Sequence, residues 1–286
     1  MCIIKLMLVD HALKNIIGVV KIDAFIKCLD DLFTATAWQT ETPKAYGPFH
    51  LIFTIVGFSL SIFLAYLFRN SNDKQNKTIL LSAGIFLILT EIYKQLFYVF
   101  CINSDEYSWG IFPFHLCSVP MYLCIIVPFL KNKKMQNGIY SFMMIYNLLG
   151  GFMAFVEPSG ILHSYVTLTL HASLWHMTLV FIGLYLIASN RGGRTIKDYW
   201  ASTIIFLILC VIAFLINLIF WDVSNGNINM FFVGPRNSSL IVFKQISERF
   251  GWYVSTILYI PTVCFGAYLI FLFITKIVYR SRKNPN

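Results

Sequence analysis

Charged side chains are scarce in this chain of 286 residues: 12% are Asp, Glu, Lys or Arg, whereas 58% are hydrophobic. Soluble domains carry about a quarter charged residues, so the composition excludes an ordinary soluble protein, a disordered chain and a coiled coil. It also excludes a conventional basic nucleic-acid binder, because a net charge of +9 has a topological explanation in a membrane protein. The sequence predicts a polytopic membrane protein.

The sequence also lacks the cysteine patterns that are typical of disulfide frameworks and metal sites. None of the seven cysteines forms a C-x-x-C pair, so neither a disulfide framework nor a zinc site is predicted. The sequence contains no metal, nucleotide or haem motif and no internal repeat. We therefore expect no cofactor, no metal and no nucleic-acid partner, and we expect membrane lipids as the surroundings.

Long apolar runs are what the sequence has in abundance. Crossing about 30 Å of hydrocarbon takes about 20 apolar residues in a helix, and seven windows qualify: 49–68, 78–101, 111–130, 138–156, 167–188, 199–221 and 252–275. They predict an all-α polytopic bundle with a seven-helix transmembrane domain over 49–275. Residues 1–48 form an N-terminal extension, in which 22–36 predict an interfacial amphipathic helix, and 276–286 form a basic tail.

Basic residues alternate between the connections. The loops after the first, third and fifth windows carry three Lys or Arg each, whereas the second and fourth loops carry none. The sixth loop, 222–251, also carries three, but long segments weigh less in the positive-inside rule. This pattern predicts the N-terminus outside and the C-terminus in the cytoplasm.

Polar side chains inside the windows occur at one depth. Ionisable groups in a bilayer are costly and mark function by default, and Glu91 and Lys94 are the only Asp, Glu, Lys or Arg within the windows. Counting about 1.5 Å per residue puts all the notable polar groups in the outer half of the bilayer: His50, Glu91, Lys94, His115, Cys117, Asn147, His171, His176 and Asn217. One buried polar pocket explains this economically, although Glu91 and Lys94 also fit a structural ion pair.

A cysteine beside a neutral imidazole is a nucleophile and base pair. A regular helix would point His115 and Cys117 apart, so a histidine from another window is the better partner for Cys117. On the fifth window, Ser173 and His176 share a face with Thr169. The carbonyls within reach at this depth are lipid esters, and Asn side chains or Lys94 would stabilise the oxyanion. Acyl transfer is therefore the favoured chemistry.

The stretch FPFHLCSVP at 112–120 resembles the L-P-L-H-L-C-D signature of the YwaF-like integral membrane family. Further features follow in the order of that family: His50, Glu91, a Gly-Gly helix at 150–151, His176, Asn217, the loop G-N-I-N-M-F-F that contains Asn227, and Gly251-Trp252-Tyr253. The resemblance covers about 49–270, and its strength lies in the shared order.

The resemblance implies a multi-pass protein of the bacterial cytoplasmic membrane, with animal relatives that act as phospholipid acyltransferases. It implies that Cys117 carries the acyl group and that His176 and His115 assist. The other residues of the pocket, as substrate-binding or supporting groups, are His50, Glu91, Lys94, Asn147, His171, Ser173, Asn217 and Asn227. Ser118 and Met177 depart from the usual Asp and Gly of the family.

Two other functions fit the same residues. A small-solute or proton-coupled transporter would use Glu91, Lys94 and His176 as a relay, and a non-catalytic membrane protein would keep the pocket without chemistry. Replacing Cys117 separates them, because an acyl carrier needs its sulfur and a transporter does not.

Overall fold

The computed structural model of this chain describes residues 19–103 and 107–279. The α-helices in this part of the chain are α1 (Val19–Ala35), α2 (Pro48–Leu67), α3 (Asp73–Phe97), α4 (Val119–Ile126), α5 (Lys133–Phe142), α6 (Leu148–Val156), α7 (Val166–Ala188), α8 (Ile196–Ile219), α9 (Ile241–Phe250) and α10 (Trp252–Phe273). Short π-helical turns extend α3 to Ile102, join α5 to α6 and extend α10 to Val278. The described residues contain no β-strand, so the predicted all-α architecture is confirmed.

Six helical runs are long and apolar enough to cross a membrane: Pro48–Leu67, Asp73–Ile102, Lys133–Val156, Val166–Ala188, Ile196–Ile219 and Trp252–Lys276. They coincide with six of the seven predicted windows. The remaining window holds a shorter apolar helix, Val119–Phe129. The chain is therefore a polytopic helix bundle and an integral membrane protein, while the sides on which its termini lie stay a prediction.

The centre of the bundle is the continuous helix made of α5, its π-turn and α6, packed against α7. In these two runs 61% and 56% of the most apolar stretch is buried, against 17–33% in the other four. Every residue from 141 to 147 is buried. The outer helices expose side chains such as Ile55, Ile208 and Ile257, which suits contact with lipid tails as apolar as themselves.

The predicted third span is helical over only part of its length. Its helix begins at Val119, and residues 112–118 form turns. Pro113 and Pro120 account for the break, because proline lacks the N–H that a helix needs and disfavours helical geometry in the residue before it. A regular helix would point His115 and Cys117 apart, but neither residue lies in a helix, so that geometry does not apply to them.

Two helices lie outside the apolar windows. At the N-terminal side, α1 covers most of the amphipathic segment expected at 22–36, and its Phe33 ring stacks on Phe100 at 5.5 Å between centroids. Sequence reasoning missed α9, which lies in the sixth loop and places Phe243 edge-on to Tyr259 of α10. The first 18 residues of the N-terminal extension and positions 280–286 of the basic tail lie outside the described residues.

Asn217 fixes the sixth loop to the end of α8. Its Nδ2 donates to the carbonyls of Met230 and Val233, both at 3.0 Å, and its Oδ1 accepts from the Met230 N–H at 2.6 Å. The Asn217 side chain is fully buried, so water cannot replace its hydrogen bonds to these backbone groups. Asn217 is thus a structural anchor for residues 222–240.

We expect Asn217→Ala to destabilise the protein by about 2–4 kcal/mol, because each buried backbone group left unpaired costs about 1–3 kcal/mol. Thermal unfolding in detergent measures the loss. Asn70→Ala is the matched control, since Asn70 is exposed. Equal melting temperatures for the two variants would contradict the anchoring role.

Candidate functional site

A cavity of about 200 Å³ brings together six of the residues predicted from the sequence. They come from α3, from the turns before α4 and from α7: Glu91, Lys94, His115, Cys117, His171 and His176. The rest of the wall is formed by Tyr98, Gly110, Ile111, Ser118, Gly160, Ile161, His163, Leu168, Ala172 and Trp175. Residues distant in sequence thus form one polar site within the bundle.

The ion pair on the wall of the cavity is formed by neighbours on α3. Lys94 Nζ lies 2.9 Å from Glu91 Oε1, and the two side chains are 19% and 7% exposed. Glu91 Oε1 also accepts from Gln95 Nε2 at 2.6 Å. An isolated charge would be costly here, and the pairing offsets part of that cost. Lys94 lines the same cavity as Cys117 and His176.

The segment 109–118, which we call the unwound segment, carries Cys117 and His115. Backbone groups at membrane depth must find partners within the protein, and side chains supply them. Gln95 Nε2 donates to the Ile111 carbonyl at 2.8 Å, and Tyr122 Oη donates to the Pro113 carbonyl at 2.8 Å. Trp175 Nε1 donates to the Cys117 carbonyl at 3.0 Å. Three neighbouring side chains therefore fix the conformation that presents the thiol.

Backbone carbonyls also fix the tautomers of two histidines. His176 Nδ1 lies 2.7 Å from the Ala172 carbonyl, and His115 Nε2 lies 3.2 Å from the Gly110 carbonyl. A carbonyl only accepts, so each of these ring nitrogens carries the hydrogen. In the neutral rings the other nitrogen keeps its lone pair, namely Nε2 of His176 and Nδ1 of His115. Both rings are therefore set up to accept a proton.

His171 adds a third imidazole to the cavity. Its ring lies against Trp175, with 5.6 Å between centroids. Its Nε2 is buried and has no hydrogen-bond partner among the described residues, which is uncommon for a buried polar atom. The described residues contain no group of three or more His, Cys, Asp or Glu side chains placed to hold a metal ion. The cavity therefore places the Cys117 thiol on the same wall as imidazole rings that can accept a proton, together with Lys94, which is paired with Glu91.

Two predicted pocket residues stabilise helices elsewhere. His50 is buried near the start of α2, where its Nδ1 accepts from the Tyr46 N–H at 3.2 Å and its ring stacks near Phe155. Asn147 is buried in the π-turn and donates to the Leu179 carbonyl on α7 at 3.1 Å. Neither lines the cavity.

Ser173, Asn217 and Asn227 also lie outside the cavity wall. Ser173 is buried on α7, and Asn217 anchors the sixth loop. Asn227 is exposed, and its carbonyl accepts from Arg236 at 2.7 Å. The pocket predicted from depth along the spans therefore included more residues than the packed helices bring together in the cavity.

Sequence reasoning missed Gln95, Trp175 and His163. The signal for Gln95 was its place one turn after Glu91, and Trp175 directly precedes His176. His163 lies in the loop before α7, where burial lowers the pKa of its ring and so favours the neutral form. Its Nδ1 accepts from the Tyr165 N–H at 3.2 Å.

We expect Trp175→Phe to speed alkylation of Cys117, because the Cys117 carbonyl loses its donor and the unwound segment loosens. The measurement is peptide-resolved mass spectrometry of N-ethylmaleimide labelling over time in detergent. Trp200→Phe is the matched control, since Trp200 is 57% exposed on the surface of α8. Equal labelling rates in the two variants would show that the indole does not hold the segment.

Comparison with known protein families places the chain beside a described family. The family described as TMEM164 family matches residues 45–279, which include α2 to α10 and every residue of the cavity wall. No curated protein and no solved structure matches the chain.

Proposed function

This chain belongs to the TMEM164 family, and from the chemistry of its cavity we propose that it is a phospholipid acyltransferase that carries the acyl group on Cys117. The resemblance of its H-L-C element to the YwaF-like family, with acyltransferases among the animal relatives, supports the same activity. A bacterial cytoplasmic membrane is the setting that this resemblance implies.

The observation that carries the proposal is the position of Cys117 on the cavity wall with His115, His171 and His176. A thiol becomes a nucleophile when a neighbouring base removes its proton. His176 suits that role, because the Ala172 carbonyl holds the hydrogen on Nδ1 and leaves Nε2 as the acceptor.

In the first half of the reaction the Cys117 thiol gives its proton to His176 Nε2, and the thiolate attacks the ester carbonyl of a phospholipid. A C–S bond forms and the ester C–O bond breaks. The departing glycerol oxygen takes the proton from His176. The products are an acyl thioester on Cys117 and a lysophospholipid.

In the second half the hydroxyl of an acceptor lysophospholipid gives its proton to His176 Nε2 and attacks the thioester carbonyl. The new C–O bond forms, the C–S bond breaks, and the Cys117 thiolate recovers the proton from His176. The free thiol and the neutral imidazole return, so no further reactant is needed.

Negative charge develops on the carbonyl oxygen in both halves, and Lys94 supplies positive charge for it. One of its three N–H groups faces Glu91, so the others remain for the oxyanion. The N–H groups of Ser118 and Val119 already donate to the His115 carbonyl. Stabilisation therefore comes from Lys94.

Intact-protein mass spectrometry tests the acyl carrier. We expect detergent-purified protein supplied with phospholipid to show an adduct of fatty-acyl mass that hydroxylamine removes and that Cys117→Ala abolishes. Cys124→Ala is the matched control, because Cys124 is fully buried in α4 and does not line the cavity. Folded protein without an adduct would contradict the proposal and favour proton-coupled transport through Glu91.

The rate of acyl loading tests the base. We expect His176→Gln to slow thioester formation by about 10²- to 10⁴-fold, the usual contribution of a positioned general base. His50→Gln makes the same exchange at a buried histidine outside the cavity and should load near the wild-type rate. Quenched time points read by mass spectrometry give both rates, and an unimpaired His176→Gln variant would assign the base to another ring.

A further inference from the structure

A second cavity, of about 400 Å³, lies at the other end of the central helices. Its wall is formed by the start of α5 and the residues after α7: Lys133, Gln136, Asn137, Tyr140, Asn190 and Arg191. The run Lys133–Val156 has 24 residues, about 36 Å at 1.5 Å per residue. Its far end leads into the 157–165 loop, which lines the Cys117 cavity. We call the second cavity the basic cavity.

The charge of the basic cavity is positive. Lys133 and Arg191 line it, and none of its lining residues is Asp or Glu. The two nearby carboxylates are engaged: Asp73 accepts from Arg191 Nη1 at 2.6 Å, and Asp198 accepts from Asn137 Nδ2 at 2.8 Å. Asp198 also caps α8 through the Thr195 N–H. Neither carboxylate is part of the cavity wall, although Asp73 offsets the charge of Arg191, and Lys133 supplies the other positive charge.

Hydrogen-bond donors on the wall are held in place by the surrounding bundle. Arg191 Nη2 donates to the Ser71 carbonyl at 2.8 Å, while its Nε is buried without a partner. Tyr140 accepts from Asn76 Nδ2 at 2.9 Å, which leaves the hydrogen of the phenol for another acceptor. Lys133 Nζ uses one of its three N–H groups on Gln136 Oε1. Cations with spare donors suit the oxygens of a phosphate group.

We propose that the basic cavity binds the phosphate group of an anionic membrane lipid. The cavity lies where helices end, near three connections that have basic residues in them or in the adjoining first helical turns: Arg69, Lys77, Lys131, Lys134, Arg194 and Lys197. Such clusters attract anionic lipid, and basic pockets between transmembrane helices bind its headgroups. The bound phosphate would link α5 to the loop after α7. This site is separate from the Cys117 cavity and does not depend on acyl transfer.

Ligand-dependent thermal stability of the full chain in detergent tests the proposal, since a ligand that binds the folded state raises the melting temperature. The probes are dioctanoyl phosphatidic acid and dioctanoyl phosphatidylcholine. We expect the anionic lipid alone to stabilise the protein, with a half-maximal concentration that rises about tenfold or more in Lys133→Gln, as the loss of a charge-assisted hydrogen bond predicts.

Lys134→Gln is the matched control, because it removes the same charge from the neighbouring exposed residue, which does not line the cavity. It should change the half-maximal concentration much less. The melting temperature of each variant without lipid shows whether it folds. Equal effects of the two variants would reveal diffuse surface attraction and overturn the proposal.

Three further outcomes also test the proposal. Equal stabilisation by phosphatidylcholine would show that charge is not recognised and would overturn the site. Inorganic phosphate that reproduces the stabilisation at the same concentration would assign the cavity to a free anion instead of a lipid. A Cys117→Ala protein that still responds to phosphatidic acid would support the separation of the two cavities.

Discussion

The structure depends on one constraint: within hydrocarbon, every backbone polar group must find its partner inside the protein. Six helical runs meet this constraint with their own hydrogen bonds. The unwound segment at 109–118 does not, and it persists because Gln95, Tyr122 and Trp175 donate to its carbonyls. Gln95 and Trp175 belong to α3 and α7, which also form walls of the Cys117 cavity, so satisfying the backbone also assembles that cavity.

The polar groups of that cavity follow the same logic. Glu91 and Lys94 neutralise each other, and carbonyls one turn or one loop away hold His176 and His115. Because one nitrogen of each ring is occupied by a backbone carbonyl, the other is left as a proton acceptor. The hydrogen bonds that stabilise the fold thereby determine which ring nitrogens are available as proton acceptors in the cavity. Cys117 lines the same cavity.

The bundle is polar at both ends in different ways. One end holds a thiol, three imidazoles and a balanced ion pair, while the other holds Lys133 and Arg191 beside basic connections. The buried core between them, including Tyr146 and Phe206 stacked at 4.8 Å, separates the two. Acyl chemistry at one end and headgroup binding at the other are therefore independent proposals about one scaffold.

Composition and apolar run length determined the membrane class, the all-α fold and the positions of six spans, because hydrophobic length is a local property that tertiary contacts do not alter. Depth along the spans also identified the six polar residues that meet in the cavity. Depth says nothing about rotation or packing, so only the tertiary structure decided that His50, Asn147, Ser173, Asn217 and Asn227 lie elsewhere. Pro113 and Pro120 indicate a break in the third window, but they do not determine the conformation of the unwound segment. That conformation depends on donors from Gln95 and Trp175, which are distant in sequence.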